Sequence, residues 1–182
     1  GKAVIVLIPE IALTYQTVMR FTRRFGDRVS IINSRLSKGE RYDQFERAKN
    51  GDVDIMIGPR SALFTPFKNL GLIIIDEEHE SAYKSESVPK YHATEVAIKR
   101  AKDVGATLVL GSATPSVESY YRAKNGAYKL HVLNKREKGN LPEVHVVDLR
   151  EELKNENKSI FSIELQNLIK DRLEKKQQTM LF

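Results

Sequence analysis

There is no cysteine anywhere in the 182 residues. Disulfide staples and thiolate metal centres are therefore excluded, and no zinc ligands are expected in this chain. The same lack fits a reducing compartment, so the cytoplasm is the expected location. Long apolar runs are missing too. The longest, Ala3–Ile8, falls far short of the roughly 20 residues that span a bilayer. No basic-apolar-small signal segment opens the chain, and no membrane partner is expected. A third lack bears on chemistry: the phosphate-binding pattern G-x-x-x-x-G-K-[ST] does not occur. Gly1-Lys2 leads into a strand rather than a helix and is not followed by Ser or Thr, so it is not that loop. His79-Glu80 opens like the zinc-protease helix H-E-x-x-H, but Tyr83 stands where the second imidazole must be. That pattern fails.

What is present is an ordinary globular balance, 41% hydrophobic and 30% charged. Net charge is +6. Residues 1–133 carry 20 Lys+Arg against 15 Asp+Glu, and residues 134–182 carry 10 against 9. The surplus sits in the first part and suits a polyanionic partner such as nucleic acid.

The chain is organised around residues 71–79, Gly-Leu-Ile-Ile-Ile-Asp-Glu-Glu-His. Leu72–Ile75 is a short, β-branched run of the kind buried on both faces of a parallel sheet. Asp76, Glu77 and Glu78 then stand at its carboxyl end, where open α/β sheets bind ligands. In an ATPase, Asp76 would hold Mg²⁺ through water and Glu77 would orient and deprotonate the attacking water. Alternatively, the acidic loop caps the next helix.

Taken in order, Ala3–Ile8 predicts a strand ended by Pro9, and Ile11, Tyr15, Val18, Phe21 or Thr22, and Phe25 recur at helical spacing up to Gly26. Val29–Ile32 and Val53–Ile57 predict strands. Between them Ser37 and Glu40 form a capping box for a helix closing at Asn50-Gly51. Ala93–Val104 predicts a helix, Thr107–Leu110 a strand, and Thr114 a cap for the next helix with Pro115 at its first position. Tyr128–Leu133, Val144–Asp148 and residues 177–182 predict further strands, and Ser162 caps a last helix. This alternation means a parallel sheet with right-handed crossovers. Residues 1–133 are expected to form one lobe, 134–142 a linker, and 143–182 the beginning of a second lobe.

Four segments follow predicted strands: Pro9-Glu10-Ile11-Ala12-Leu13-Thr14, Gly58-Pro59-Arg60-Ser61, Asp76-Glu77-Glu78-His79 and Gly111-Ser112-Ala113-Thr114. All would gather on one sheet edge. In that order they resemble the first motor lobe of superfamily-two DExH helicases. With Arg60-Ser61-Ala62-Leu63-Phe64, Pro66-Phe67, Tyr91-His92 and Thr114-Pro115-Ser116 added, the chain resembles the PriA family of replication-restart helicases over essentially its whole length. Asn33-Ser34 departs from the His-Ser common there, and no role is assigned to Asn33.

The resemblance implies a RecA-like fold lacking its P-loop element, belonging to an ATP-driven 3′-to-5′ DNA helicase that restarts replication at stalled or branched forks. ATP and Mg²⁺ are the implied cofactors of the parent protein, with zinc only in a part downstream of this chain. Single-stranded and branched DNA and primosome proteins are the implied partners. Glu10, Thr14, Gln16, Arg60 and Ser61 would meet a single-stranded backbone, for which hydroxyls, Arg and helix N-terminal amides are suited. His79, Ser112, Ala113 and Thr114 would relay between nucleotide and DNA, and Asp76 and Glu77 would serve ATP and its Mg²⁺. Tyr83, Lys84, Lys90, Tyr91 and His92 fall in the family's aromatic-rich loop, where rings stack on bases and lysines meet phosphates. Packing of those aromatics on their own lobe is the other reading. A non-catalytic DNA- or partner-binding module derived from a helicase lobe remains the alternative function.

Overall fold

In the computed structural model, residues 1–134 and 142–182 are described. Contacts divide them into Gly1–His131 and Val132–Phe182. The expected linker falls mostly on residues 135–141, outside the described residues.

The first unit is a five-stranded, wholly parallel sheet. Its strands are β1 (Ala3–Leu7), β2 (Val29–Ile31), β3 (Ile55–Gly58), β4 (Leu70–Ile75) and β5 (Thr107–Leu110), in the order β2-β3-β1-β4-β5. Helices α1 (Tyr15–Phe25), α2 (Lys38–Asn50), α3 (Ala93–Val104) and α4 (Val117–Lys124) connect or follow them. The apolar runs read from the sequence are continuous because both sheet faces are covered. Ile5, Leu7, Met56, Ile73 and Ile75 pack with Ala48 of α2 and Ala93, Ala97 and Ala101 of α3. Val6, Ile55, Ile57 and Ile74 point the other way, against Leu13 and Phe21. This is a RecA-like lobe, with α1 on one face and α2 and α3 on the other.

The register fixes which residues share the carboxyl edge. Leu7 is opposite Gly58 on one side and Ile75 on the other, and Ile75 is opposite Leu110. Pro9, Pro59, Asp76 and Gly111 thus leave the sheet along one edge, with β1 lying between the Arg60 and Asp76 strands. Gly58 is needed here for closeness: a Cβ would lie 2.6 Å from the Ile32 carbonyl oxygen.

Several boundaries differ from expectation. Residues 10–12 form a separate 3-10 turn, and α1 starts only at Tyr15, capped by Thr14, whose side chain accepts from Thr17 N–H. Ile11 and Tyr15 are exposed, not on the apolar face. The capping box of Ser37 and Glu40 is present. Helix α4 is capped by Ser116 rather than Thr114, because Thr114 turns toward His79. Tyr128–Leu133 is not a strand, and Val132 and Leu133 are exposed.

In the second unit, neither Val144–Asp148 nor residues 177–182 form strands. A short helix, α5 (Leu149–Lys154), is capped by Asp148, and α6 (Ile163–Glu174) by Ser162 as the sequence implies. Glu152 binds Ile163 N–H at 2.9 Å and so ties the two helices together.

Candidate functional site

The candidate site is the carboxyl edge of the sheet. Asp76 continues β4, its N–H donating to the Leu7 carbonyl at 2.9 Å. Its side chain is exposed, and Oδ1 accepts from the Glu77 N–H at 3.1 Å. Glu77 holds a positive φ of 48°, a left-handed conformation that costs a non-glycine residue about 1–2 kcal/mol. Strain of this sort gathers at functional sites. It turns the chain sharply out of the strand and leaves the Glu77 carboxylate half-exposed, 3.6 Å from His79 Nδ1.

Glu78 goes elsewhere. It is 4% exposed, and its carboxylate accepts from Ser116 N–H at 2.6 Å, Ser116 Oγ at 3.1 Å and Ser119 Oγ at 2.8 Å. A carboxylate on the N-cap amide of α4 also meets the positive end of the helix dipole. Glu78 therefore caps α4, not the next helix α3, which His92 caps, whereas Asp76 and Glu77 face outward. The expectation that Glu78 stands with them at a ligand-binding edge is corrected, because its carboxylate is buried on α4.

His79 bridges β4 to the segment after β5. Its Nδ1 is 2.7 Å from Ser112 Oγ and its Nε2 3.4 Å from Thr114 Oγ1. Ser112 Oγ also accepts from Thr114 N–H at 3.0 Å, which closes the group. Ala113 lies exposed between them. Four sequence-predicted residues are thus brought together: His79, Ser112 and Thr114 by direct contact, and Ala113 by the chain.

On the other side of β1, a cleft of about 380 Å³ lies between Glu10, Ser34, Arg41, Arg60, Ser61 and Tyr83. Glu10 accepts from Ser34 N–H at 2.7 Å. Hydrogen bonding from Ser34, helped by Arg35 and Arg41, holds its carboxyl below the usual range. Arg60 is already engaged, donating to the carbonyls of Ala82 at 3.1 Å and Lys84 at 2.6 Å. Thr14 caps α1, and Gln16 is exposed in its first turn.

The aromatic-rich segment divides. Tyr83 is 1% exposed, and its hydroxyl donates to the Asp76 carbonyl at 2.6 Å. Burial, reinforced by Asp76, Glu80 and Glu77, pushes the phenol up. Its ring is packed in this lobe and is not presented for stacking. Tyr91 meets Phe64 edge-on at 5.5 Å. His92 caps α3 by accepting from Thr94 N–H at 3.3 Å, and bridges Lys84 in antiparallel fashion. Lys84 and Lys90 are exposed.

The sequence reading missed the Arg60 clamp and the Tyr83 hydroxyl bond. No local signal marks either, because each joins segments distant along the chain. Among the described residues there is no group of three or more side chains arranged to hold a bare metal ion. Two outward carboxylates do suit a hydrated Mg²⁺ whose other ligands are water and phosphate.

A strained acidic turn thus ends a central parallel strand, and His79 joins it to Ser112 and Thr114 in the segment after β5. A profile of the DEAD/DEAH box helicases matches residues 1–123, and the chain belongs to that family. It is 52% identical to the replication restart protein PriA of Bacillus subtilis, across all of this chain and 23% of that protein. Similarity to PriA of Chlamydia trachomatis and of Synechocystis is 46% in each case, again over the whole chain. The chain spans about a quarter of these relatives' length. Among solved structures, the Saccharomyces cerevisiae Dbp5 C-terminal domain bound to Gle1 and IP6 superposes with a TM-score of 0.50. It is 12% identical over 70% of this chain and 71% of that one, and supports the fold alone.

Proposed function

We propose that this chain is the acidic-box half of the first motor lobe of an ATP-dependent 3′-to-5′ DNA helicase acting in replication restart, together with the beginning of a second lobe. The observation that carries the reading is the hydrogen-bonded edge of Asp76, Glu77, His79, Ser112 and Thr114, beside the Glu10–Arg60 cleft. The whole-length similarity to PriA proteins supplies the biological setting, with primosome proteins and branched DNA as the partners.

Mg·ATP, when bound, supplies the phosphoryl group and the cation that offsets its charge. Asp76 would hold that cation through a water, and Glu77 would align the attacking water and take its proton. His79 can accept on one ring nitrogen and donate on the other, so it carries a change at Glu77 to Ser112 and Thr114. A second link runs from the cleft. A DNA phosphate drawn to Arg60 competes with the Ala82 and Lys84 carbonyls. Loosening that turn moves Tyr83, whose hydroxyl holds the Asp76 backbone. The loop would thus report DNA to the nucleotide side through a buried ring rather than through stacking by Tyr83. Lys84, Lys90 and Tyr91 remain available near the strand.

The absent G-x-x-x-x-G-K-[ST] favours a second reading for this chain by itself, as a binding module without turnover. Asp76 and Glu77 offer only negative charge to a negative nucleotide, and the positioning on which phosphoryl transfer depends is lacking. Phosphate release should therefore be undetectable with the 182-residue chain, while a fluorescent single strand binds weakly and loses affinity steeply with salt. Turnover that survives repurification and vanishes with Glu77→Gln would overturn this placement of the phosphate site.

A further inference from the structure

We propose that the exposed stripe of α1 is a second phosphate-backbone contact, fitted to a double-stranded arm of nucleic acid. It extends the DNA-facing edge proposed above and rests on that reading for the direction from which DNA arrives. The segment Thr14–Gly26 contains three arginines and no acidic residue. Arg20, Arg23 and Arg24 stand three and four residues apart, which puts them on one helix face. Gln16, four before Arg20, heads the same row, and all four are exposed. Among the described residues none of the three arginines is within salt-bridge distance of a carboxylate. Arg24 only overlies the Phe25 ring, at 5.6 Å. By contrast, nearby Arg28 is locked to Asp54 at 2.6 Å.

Helix polarity explains part of this pattern, since Arg23 and Arg24 in the last turn suit the negative end of the dipole. Arg20 sits mid-helix and gains nothing from it. The opposite side of α1 packs on the sheet through Phe21, with Val18 half-buried, so the stripe is presented by a rigid support. From Gln16 to Arg24 the row runs about 12 Å, against one duplex charge per about 1.7 Å of axis. Three arginines can each meet a phosphate over that length. The face is convex, and the exposed rings of α1, Tyr15 and Phe25, lie outside the row, with Phe25 overlain by Arg24, whereas single strands are held by grooves and stacking platforms. A duplex backbone needs neither. Gln16 at the carboxyl edge would then mark where the single strand leaves the paired arm.

The test is titration of the 182-residue chain with a fluorescent hairpin duplex and an unstructured single strand of equal phosphate number, over a range of salt. The triple variant Arg20→Gln, Arg23→Gln, Arg24→Gln is compared with wild type. Loss of three phosphate contacts should flatten the slope of log K against log salt by about 2.7 for the duplex, and by under about 0.7 for the single strand. An unchanged melting temperature excludes a folding defect, since the three side chains are exposed. An unaltered duplex slope, an equal loss on both probes, or displacement of duplex by polyglutamate at matched charge would each overturn the proposal. Wild type that binds duplex through the stripe but ignores single strands would instead refute the carboxyl-edge reading and leave the stripe standing.

Discussion

Glu78→Ala tests the division of labour within the acidic turn. The Glu78 carboxylate is buried and accepts three hydrogen bonds, from Ser116 N–H, Ser116 Oγ and Ser119 Oγ. Hydrogen bonds to a charged group contribute about 1.5–3 kcal/mol each, but the two hydroxyls can turn to water once the acceptor is gone. The Ser116 amide is then left without its acceptor at the start of α4, so a net loss of about 3–4 kcal/mol is expected. For a chain of this size that is a fall in melting temperature of about 6–16 °C. Glu78→Gln keeps one acceptor for the amide and should lose about half as much. Glu77→Gln changes a half-exposed group without such partners and should stay within about 0.5 kcal/mol of wild type. Circular dichroism melts of the 182-residue chain give the totals, and amide exchange over residues 117–124 shows whether α4 has come loose. Glu78→Ala melting within about 2 °C of wild type, with α4 amides still protected, would refute the capping role.

Other expectations follow from the same geometry. Gly58→Ala should destabilise the chain by about 1–3 kcal/mol in urea unfolding, because the new methyl meets the Ile32 backbone oxygen and not a pliable side chain. Tyr83→Phe removes one hydrogen bond worth about 0.5–1.5 kcal/mol. In a protein of the relatives' full length it should reduce DNA stimulation of ATP hydrolysis more than it reduces DNA affinity; equal losses would mean the ring only packs. Glu10 and Asp54 are both held below the usual carboxylate range, by Ser34 and by Arg28 respectively. Their contribution to stability is present above the unfolded values near 4 and disappears as pH falls through the lowered native ones. Melting temperature should therefore be flat between roughly pH 7 and 5 and drop below about 4. A decline beginning near pH 6 would point to other groups.

Much of the lobe was legible because local pattern and tertiary context agree. Ala3–Ile8 and Leu72–Ile75 read as strands buried on both faces, and they supply β1 at the centre of the sheet and β4 beside it. Ser37 and Glu40 announced the start of α2. The gathering of Pro9, Pro59, Asp76 and Gly111 on one edge followed from strand-helix alternation alone. What was illegible depends on partners far along the chain. Glu78 looks like its neighbours until α4 folds over it, thirty-eight residues later. Tyr83 lies in a polar stretch where the sequence leaves stacking and packing both open, and only the fold shows it buried beneath Asp76. Arg60 reads as a free cation, but two loop carbonyls claim it. The terminal runs Tyr128–Leu133 and Val144–Asp148 carry strand-like composition, yet a strand also requires a neighbouring backbone, and none pairs with them among the described residues.

In the proposed function Glu77 acts on the water of an ATP hydrolysis that DNA stimulates. The most direct measurement is phosphate release with and without single-stranded DNA for Glu77→Gln, in a protein of the relatives' full length that carries this chain, with ATP binding measured in parallel. The amide cannot take the water's proton, so DNA-stimulated release should fall at least about 100-fold while ATP binding changes little. Near-normal release from that variant, with ATP bound as tightly as by wild type, would contradict the account.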